Sequence, residues 1–260
     1  MTHIIDSHAH LTYLSDNPEK IRDIAARFPE AQHRRILDAG VKPSDIDERL
    51  TLLSGVTGVI LAAGIHPHHA HEMNNGDITA FTEHIRRLNT DGRKICAIGE
   101  IGLDYYYGKD TVSAQRNVFA EALDAASSLG LPALVHARDA FDDIFKLITA
   151  SKVRNGMLHC FTGGVAEAKR ALDLGFILSF AGNVTYKKSP QIREAAAYVP
   201  ADRYTVETDC PYLAPMPLRG KDNEPAFVVH TAACIAQLRG TDTDTVFREA
   251  YENAARVIGY

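Results

Sequence analysis

Short apolar runs recur along the chain, each bounded by polar residues and followed by a stretch whose apolar positions repeat every three to four residues. Such runs predict buried strands, and the longer period between them predicts amphipathic helices. Strands are expected at 3–6 (HIID), 34–39 (RRILDA), 58–64 (GVILAAG), 95–100 (ICAIGE), 132–137 (PALVHA), 156–161 (GMLHCF), 176–181 (FILSFA) and 203–208 (RYTVET). Between the fourth and fifth, Val118, Phe119, Ala122, Leu123, Ala126 and Leu129 form one stripe. Ser113 is the expected N-cap of that helix, and Gly130 followed by Pro132 its stop. A second helix opens at Asp77 and carries Ile78, Phe81, Ile85 and Leu88, and two more close the chain over 225–240 and 242–259. Strands alternating with helices predict an α/β chain with a parallel sheet, and eight of them favour a closed (β/α)8 TIM barrel. No internal repeat, low-complexity tract or linker interrupts the pattern, so a single TIM-barrel domain over 1–260 is expected.

Composition narrows the class. The 260 residues match the roughly 250 of a barrel of this kind. Hydrophobic residues at 45% and charged residues at 23% describe an ordinary globular chain with a sizeable core. No apolar run approaches the ~20 residues of a membrane span. Asp6, His8 and His10 break the N-terminus too early for a secretory h-region. The four cysteines, Cys96, Cys160, Cys210 and Cys234, show no CxxC pairing, which fits reduced thiols and a cytoplasmic location. A net charge of −5 gives no general polyanion-binding surface, so any nucleic acid must be held locally.

The polar residues that end the strands carry the chemistry. In IIDSHAHLTYL, His8 and His10 are two apart, so in a strand they point to the same side. Alone, such a pair is equally well two hydrogen-bonded histidines at a strand end. Yet His66 follows the third strand, Glu100 and Asp104 end the fourth, His136 the fifth and His159 the sixth, and Asp209 follows the eighth. In a barrel those ends share one face, where active sites are built. Four imidazoles and two carboxylates exceed one tetrahedral ion and suit two divalent ions ~3.5–4 Å apart. Glu100 stands between the early and late ligands and is the expected bridge. His8, His10 and Asp209 would complete one metal, His136 and His159 the other. A water between the ions, deprotonated near neutral pH, is the expected nucleophile, and Asp209 is placed to take its proton. The remaining histidines (His3, His33, His68, His69, His71, His84 and His230) read as surface or structural.

These residues sit in motifs that resemble a known family. DSHAHL, GIHPHHA, AIGEIGLDYYY, LPALVHARDA, LHCFTGG and VETDCPYLAPMPLRGKDNEP occur in order, and together they look like the TatD family of metal-dependent deoxyribonucleases from residue 4 to about 257. The resemblance implies a metal-dependent hydrolase barrel whose two divalent metals are held by His8, His10, Glu100, His136, His159 and Asp209. It implies a cytoplasmic phosphodiesterase, commonly a 3′-to-5′ exonuclease, with His66 and Arg138 near the scissile phosphate. Glu207 also stands in the motif, without a clear role. Two departures stand out. Ala9 and Thr12 replace residues that are often polar or cysteine and aspartate, and Asp222 stands where a second arginine is usual after RGK. The second puts an anion beside the substrate path.

Charge near the barrel mouth bears on the substrate. Arg138, Lys187, Lys188, Arg219 and Lys221 follow strands five, seven and eight, a local positive rim suited to phosphate. Taken singly, each reads more readily as solvated loop charge. Tyr105, Tyr106 and Tyr107 could stack on bases or pack the rim. The expected partner is therefore nucleic acid as substrate, mainly single-stranded DNA ends and possibly RNA, with no membrane and no obligate protein partner. The nitrogen-rich ligand set suits zinc, manganese, cobalt or nickel, whereas the family resemblance implies Mg2+ or Mn2+ in catalysis. Hydrolysis of a carboxylic ester or amide, as by an aminoacyl-tRNA deacylase or a small-molecule amidohydrolase, is the competing enzyme reading. Many amidohydrolases bridge their metals with a carboxylated lysine, and here that place is Glu100 while Lys109 lies too far along. A non-catalytic metal-binding scaffold predicts a missing ligand, and none is missing.

Overall fold

A computed structural model of the chain describes residues 2–92 and 94–260. Eight parallel strands pair in sequence order: β1 (His3–Ala9), β2 (His33–Asp38), β3 (Val59–Ala63), β4 (Ile95–Asp104), β5 (Ala133–Arg138), β6 (Gly156–Leu158), β7 (Phe176–Phe180) and β8 (Tyr204–Val206). Helices α1 (Pro18–Ala26), α2 (Ile46–Leu52), α3 (Asp77–Thr90), α4 (Val112–Leu129), α5 (Phe141–Ala150), α6 (Val165–Asp173) and α7 (Pro190–Tyr198) alternate with the strands, and α8 (Val228–Arg239) and α9 (Thr243–Ile258) follow β8. The predicted TIM barrel is therefore the fold. Its strands are buried on both faces, which is why they read as continuous apolar runs. Among the described residues no helix is long and apolar enough to cross a membrane.

The seam between β8 and β1 is closed by a different set of contacts from the ladders elsewhere. The Asp209 amide donates to the His8 carbonyl at 2.9 Å and the His10 amide to the Cys210 carbonyl at 2.9 Å. Ser7 Oγ donates to the Val206 carbonyl at 3.0 Å. Asp6, fully buried, accepts the Thr208 amide at 2.8 Å and also bonds the Thr208 hydroxyl. The same contacts that close the barrel thus fix the two chain segments carrying His8, His10 and Asp209.

Element ends differ from the sequence reading where local geometry intervenes. β6 and β8 stop at Leu158 and Val206, so His159 and Glu207 lie one residue beyond their strands. β4 runs four residues past Glu100, to Asp104, because its register with β5 shifts between Ile98 and Ile101. Glu100 therefore points into the mouth from within a strand. Helix α4 begins at Val112, so Ser113 lies inside its first turn and no side chain caps it. Its predicted stop holds: Gly130 is left-handed at φ 66°, the usual helix C-terminal conformation.

Candidate metal centre

Glu100 occupies the centre of the mouth, 2% exposed. Its backbone is held by the chain that crosses it: the Glu100 amide donates to the Gly40 carbonyl at 2.8 Å. Gly64, at the end of β3, allows this approach, since a Cβ there would lie 2.3 Å from the Glu100 nitrogen. Five imidazoles converge on the carboxylate. His8 Nε2 and His10 Nε2 lie 3.4 Å from Oε2. His136 Nδ1 and His159 Nε2 lie 2.7 Å from Oε1, and His66 Nε2 lies 3.5 Å from it. Asp209 Oδ1 stands 3.7 Å from His10 Nε2 and 4.0 Å from His8 Nε2.

Three groups have donor atoms close enough to share a cation: His8, His10 and Asp209; His8, Glu100 and His159; and His66, Glu100 and His136. All six residues expected as ligands are thus brought together. His66, expected beside a phosphate, lies among them. Arg138 does not enter the cluster. Its guanidinium lies over the rings of Tyr106 and Tyr107, 4.3 and 4.6 Å from their centroids.

The donor set fits divalent cations. Both ring nitrogens of the buried His8 lack a hydrogen-bond partner, as do His136 Nε2, His159 Nδ1 and Glu207 Oε2. Orphaned buried polar atoms are rare and costly, and ring nitrogens facing carboxylates are natural ligands. Burial alone would push the Glu100 carboxyl up, but His159, His66, His10 and His136 hold it well below the ordinary range. Burial depresses His8 to about 4, with His159 adding to the effect. It depresses His66 as well. Burial would also lower His10, His136 and His159, but the surrounding carboxylates, Glu100 foremost or Asp104 for His136, leave all three raised. The carboxylates thus draw positive charge into the mouth, and cations would supply it.

Behind the first ring, a carbonyl and two carboxylates face the outer nitrogens of the imidazoles, where second partners stand in metal sites. His10 Nδ1 lies 3.3 Å from the Ala39 carbonyl. His159 Nδ1 lies 3.4 Å from Glu207 Oε1, which also accepts the Cys160 amide at 2.7 Å. His136 Nε2 lies 3.6 Å from Asp104 Oδ2, and His68 Nε2 is 2.9 Å from the same oxygen. Asp104 Oδ1 accepts the amides of Tyr106 and Tyr107, both at 2.9 Å. Burial favours the protonated acid, yet His136, the Tyr107 amide and His68 keep the Asp104 carboxyl below the ordinary range. Sequence reasoning gave neither Asp104 nor Glu207 a role and set His68 aside. The available signal was spacing: Glu207 is two residues from Asp209, and His68 two from His66, the alternation that put His8 and His10 together.

Around the cluster runs an aromatic and basic rim. Tyr13, Tyr106, Tyr107 and Tyr212 are 50, 51, 66 and 53% exposed, so each offers a ring face to solvent. Tyr13 stacks on His10 with centroids 5.4 Å apart, and Tyr212 stands edge-on to the same imidazole at 6.5 Å. Arg219 lies over Tyr186 at 4.5 Å. Lys187, Lys188, Lys221 and the divergent Asp222 are exposed. Tyr105 is the exception among the three consecutive tyrosines: it is partly buried and its hydroxyl donates to Asp143 at 2.8 Å, so it packs the rim.

Comparison with known proteins places this geometry. The model of a family described as TatD related DNase matches residues 5–259. The metal-dependent hydrolase YcfH of Escherichia coli strain K12, itself uncharacterized, is 36% identical over 258 residues, covering 98% of this chain and 95% of the relative. The 3′-5′ ssDNA/RNA exonuclease TatD of Klebsiella pneumoniae strain 342 is 31% identical over 244 residues, covering 91% of each. Among solved structures, the TatD homologue YjjV of Escherichia coli superposes with a TM-score of 0.89 at 23% identity, covering 99% of this chain and 98% of that one.

Proposed function

The chain belongs to the TatD related DNase family, and from that premise we propose that it is a two-metal hydrolase that shortens single-stranded DNA, and RNA secondarily, from the 3′ end. The proposal treats residues 1–260 as one hydrolase domain. His8, His10, Glu100 and Asp209 would hold one divalent ion, and Glu100, His136 and His159 the second. Mg2+ or Mn2+ would serve in catalysis, and zinc or another transition metal would accompany the purified protein. When bound, the ions supply Lewis acidity, lowering the pKa of a water and neutralising phosphoryl oxygens.

The remaining work falls to side chains. Asp209, a partly buried carboxylate whose Oδ1 stands 3.7 and 4.0 Å from the His10 and His8 Nε2 atoms, would accept the proton of the attacking water. His66, depressed by burial, would meet the phosphate as a neutral hydrogen-bonding imidazole. Arg138, held over Tyr106 and Tyr107, would present its guanidinium edge to a phosphate oxygen. The observation that carries the nucleic-acid reading is the rim itself. Half-exposed tyrosine rings interleaved with arginines suit bases and phosphates in alternation and have no use for a small ester or amide.

A 5′-labelled single-stranded oligonucleotide incubated with Mn2+ or Mg2+ tests the reading. Stepwise shortening abolished by chelator is expected. Intact strands alongside metal-dependent hydrolysis of an aminoacyl ester would overturn the nuclease assignment and leave the hydrolase.

A further inference from the structure

A cavity beside Tyr13 lies outside the cluster of ligand-type side chains. It opens between the chain segments that follow β1 and β2 and holds about 170 Å3. A cavity of about 150 Å3 takes one benzene-sized ring, whereas pockets for larger ligands begin near ~300 Å3. This space therefore accepts one six-membered ring and little more. Val41 and Leu52 contribute apolar wall, and Tyr13 contributes a ring. Tyr13 also stacks on His10 with an interplanar angle of 23°. A ring seated in the cavity would thus lie beside the tyrosine that stacks on His10, whose Nε2 is 3.4 Å from Glu100.

The polar edge of the cavity is specific. Asp16 and Glu48 line it and are exposed. Neither is paired with another described side chain, so both offer carboxylate oxygens as acceptors. Lys42 offers a charged donor beside the hydroxyls of Thr12 and Tyr13: its Nζ lies 3.3 Å from Glu72, in a pair 38 and 41% exposed, and pairs so exposed are weak. Arg49, also at the wall, is committed to Asp38 and Asp45. Carboxylate acceptors together with ammonium and hydroxyl donors around a ring-sized slot complement a heterocycle bearing an amine and a carbonyl. Cytosine offers both, and carboxylates accept from its N4 amine. Thymine has the same ring but places a carbonyl acceptor where the amine would be, against the carboxylate edge. Purines exceed the space.

We propose, resting on the exonuclease reading above, that this cavity is a base subsite that prefers cytosine to thymine in the nucleotide flanking the scissile bond. The slot discriminates by edge chemistry, because the two pyrimidines differ little in size.

Calorimetric binding of dCMP and dTMP to the metal-loaded protein tests the subsite without requiring cleavage. The two ligands share sugar and phosphate, so the metal contacts cancel. Preference for dCMP by about fivefold is expected, the lower end for a base-edge contact. Tyr13→Ala should weaken both ligands. Glu48→Lys, at an exposed position, places a donor where the amine would sit and should turn the preference toward dTMP. A loosened fold would not reverse the sign. Equal or absent binding of the two nucleotides, or a Glu48→Lys protein with unchanged preference, overturns the subsite whatever the protein does to DNA. A companion digestion compares single strands ending in 3′ cytosine or 3′ thymine, with faster loss of cytosine expected. Failure to cut either strand while dCMP still binds more tightly would overturn the exonuclease reading and retain the cavity.

Discussion

At the scale of single residues, the centre is organised by one buried carboxylate among five imidazoles. Glu100→Gln keeps volume and shape but removes the charge that His8, His10, His66, His136 and His159 face. The expected result is loss of at least one metal equivalent by elemental analysis and of nearly all hydrolysis. Full occupancy with wild-type turnover would show that Glu100 does not bridge. Asp209 makes a pH prediction. In the metal-free fold its pKa is pushed up to about 6, chiefly by burial, with Glu100 and Glu207 adding and His159 and His10 opposing. An unfolded aspartate titrates near ~3.9, so the folded state holds this proton more tightly. Its contribution to apo stability is present below about pH 4 and lost as pH rises through 6. A cation must displace that proton, so affinity should fall at least about tenfold per pH unit below pH 6. The raised pKa values of His10, His136 and His159 steepen the fall. Metal titrations across that range should show a slope smaller by one proton in Asp209→Asn, whose turnover should drop ~10²–10⁴-fold with a general base removed. An unchanged slope would place the titrating proton elsewhere.

At the scale of elements, the strand ends act in pairs. The seam between β8 and β1 fixes His8, His10 and Asp209 through backbone bonds and through Asp6. Burial pushes the Asp6 carboxyl well above its ordinary range, outweighing its bonds to Thr208, so the fold favours its protonated form. An amide has nearly the same shape and hydrogen-bonding capacity. Asp6→Asn should therefore cost little, whereas Asp6→Ala leaves the Thr208 amide unpartnered, at about 1–3 kcal/mol, and leaves its hydroxyl only the Cys210 amide. Thermal and urea unfolding of the two variants check this. Equal destabilisation would show that Asp6 is charged in the fold. Beyond the seam, Asp104 at the end of β4 and Glu207 just past β8 steady imidazoles from β5 and from beyond β6. Each support crosses from one element to another.

At the scale of the whole molecule, a net charge of −5 surrounds a mouth with basic loops. Few phosphates can then be neutralised at once. If Arg138, Lys187, Lys188, Arg219 and Lys221 engage about three, log K should fall with log salt at a slope near −2, from about −0.7 per phosphate for a single strand. A slope steeper than −5 would require contacts over surface that carries the wrong sign. The ring of loops also admits a strand terminus more readily than an internal segment. A covalently closed single-stranded circle should persist under conditions that digest the linear strand, and rapid Glu100-dependent cutting of the circle would replace the exonuclease proposal with an endonuclease.

The sequence by itself determined the barrel and which ligand-type residues stand at its strand ends. Buried parallel strands need uninterrupted apolar runs, and eight of them stand out in the pattern. Ligand-type residues at their ends were legible because alternation along an extended chain, as at His8 and His10, is a local property. Two things were not local. Glu100 was expected at a strand end, and a register shift between β4 and β5 extends the strand beyond it. Such shifts arise from two chains meeting and leave no mark in one of them. The supports His68, Asp104 and Glu207 acquire their roles from partners far along the chain: Asp104 lies 36 positions from His68, and Glu207 lies 47 from Cys160. Local spacing places His68 on the side of His66, but it does not tell a histidine that orients a carboxylate from one that merely faces solvent. Only closure of the barrel, which brings eight strand ends to one mouth, decides between them.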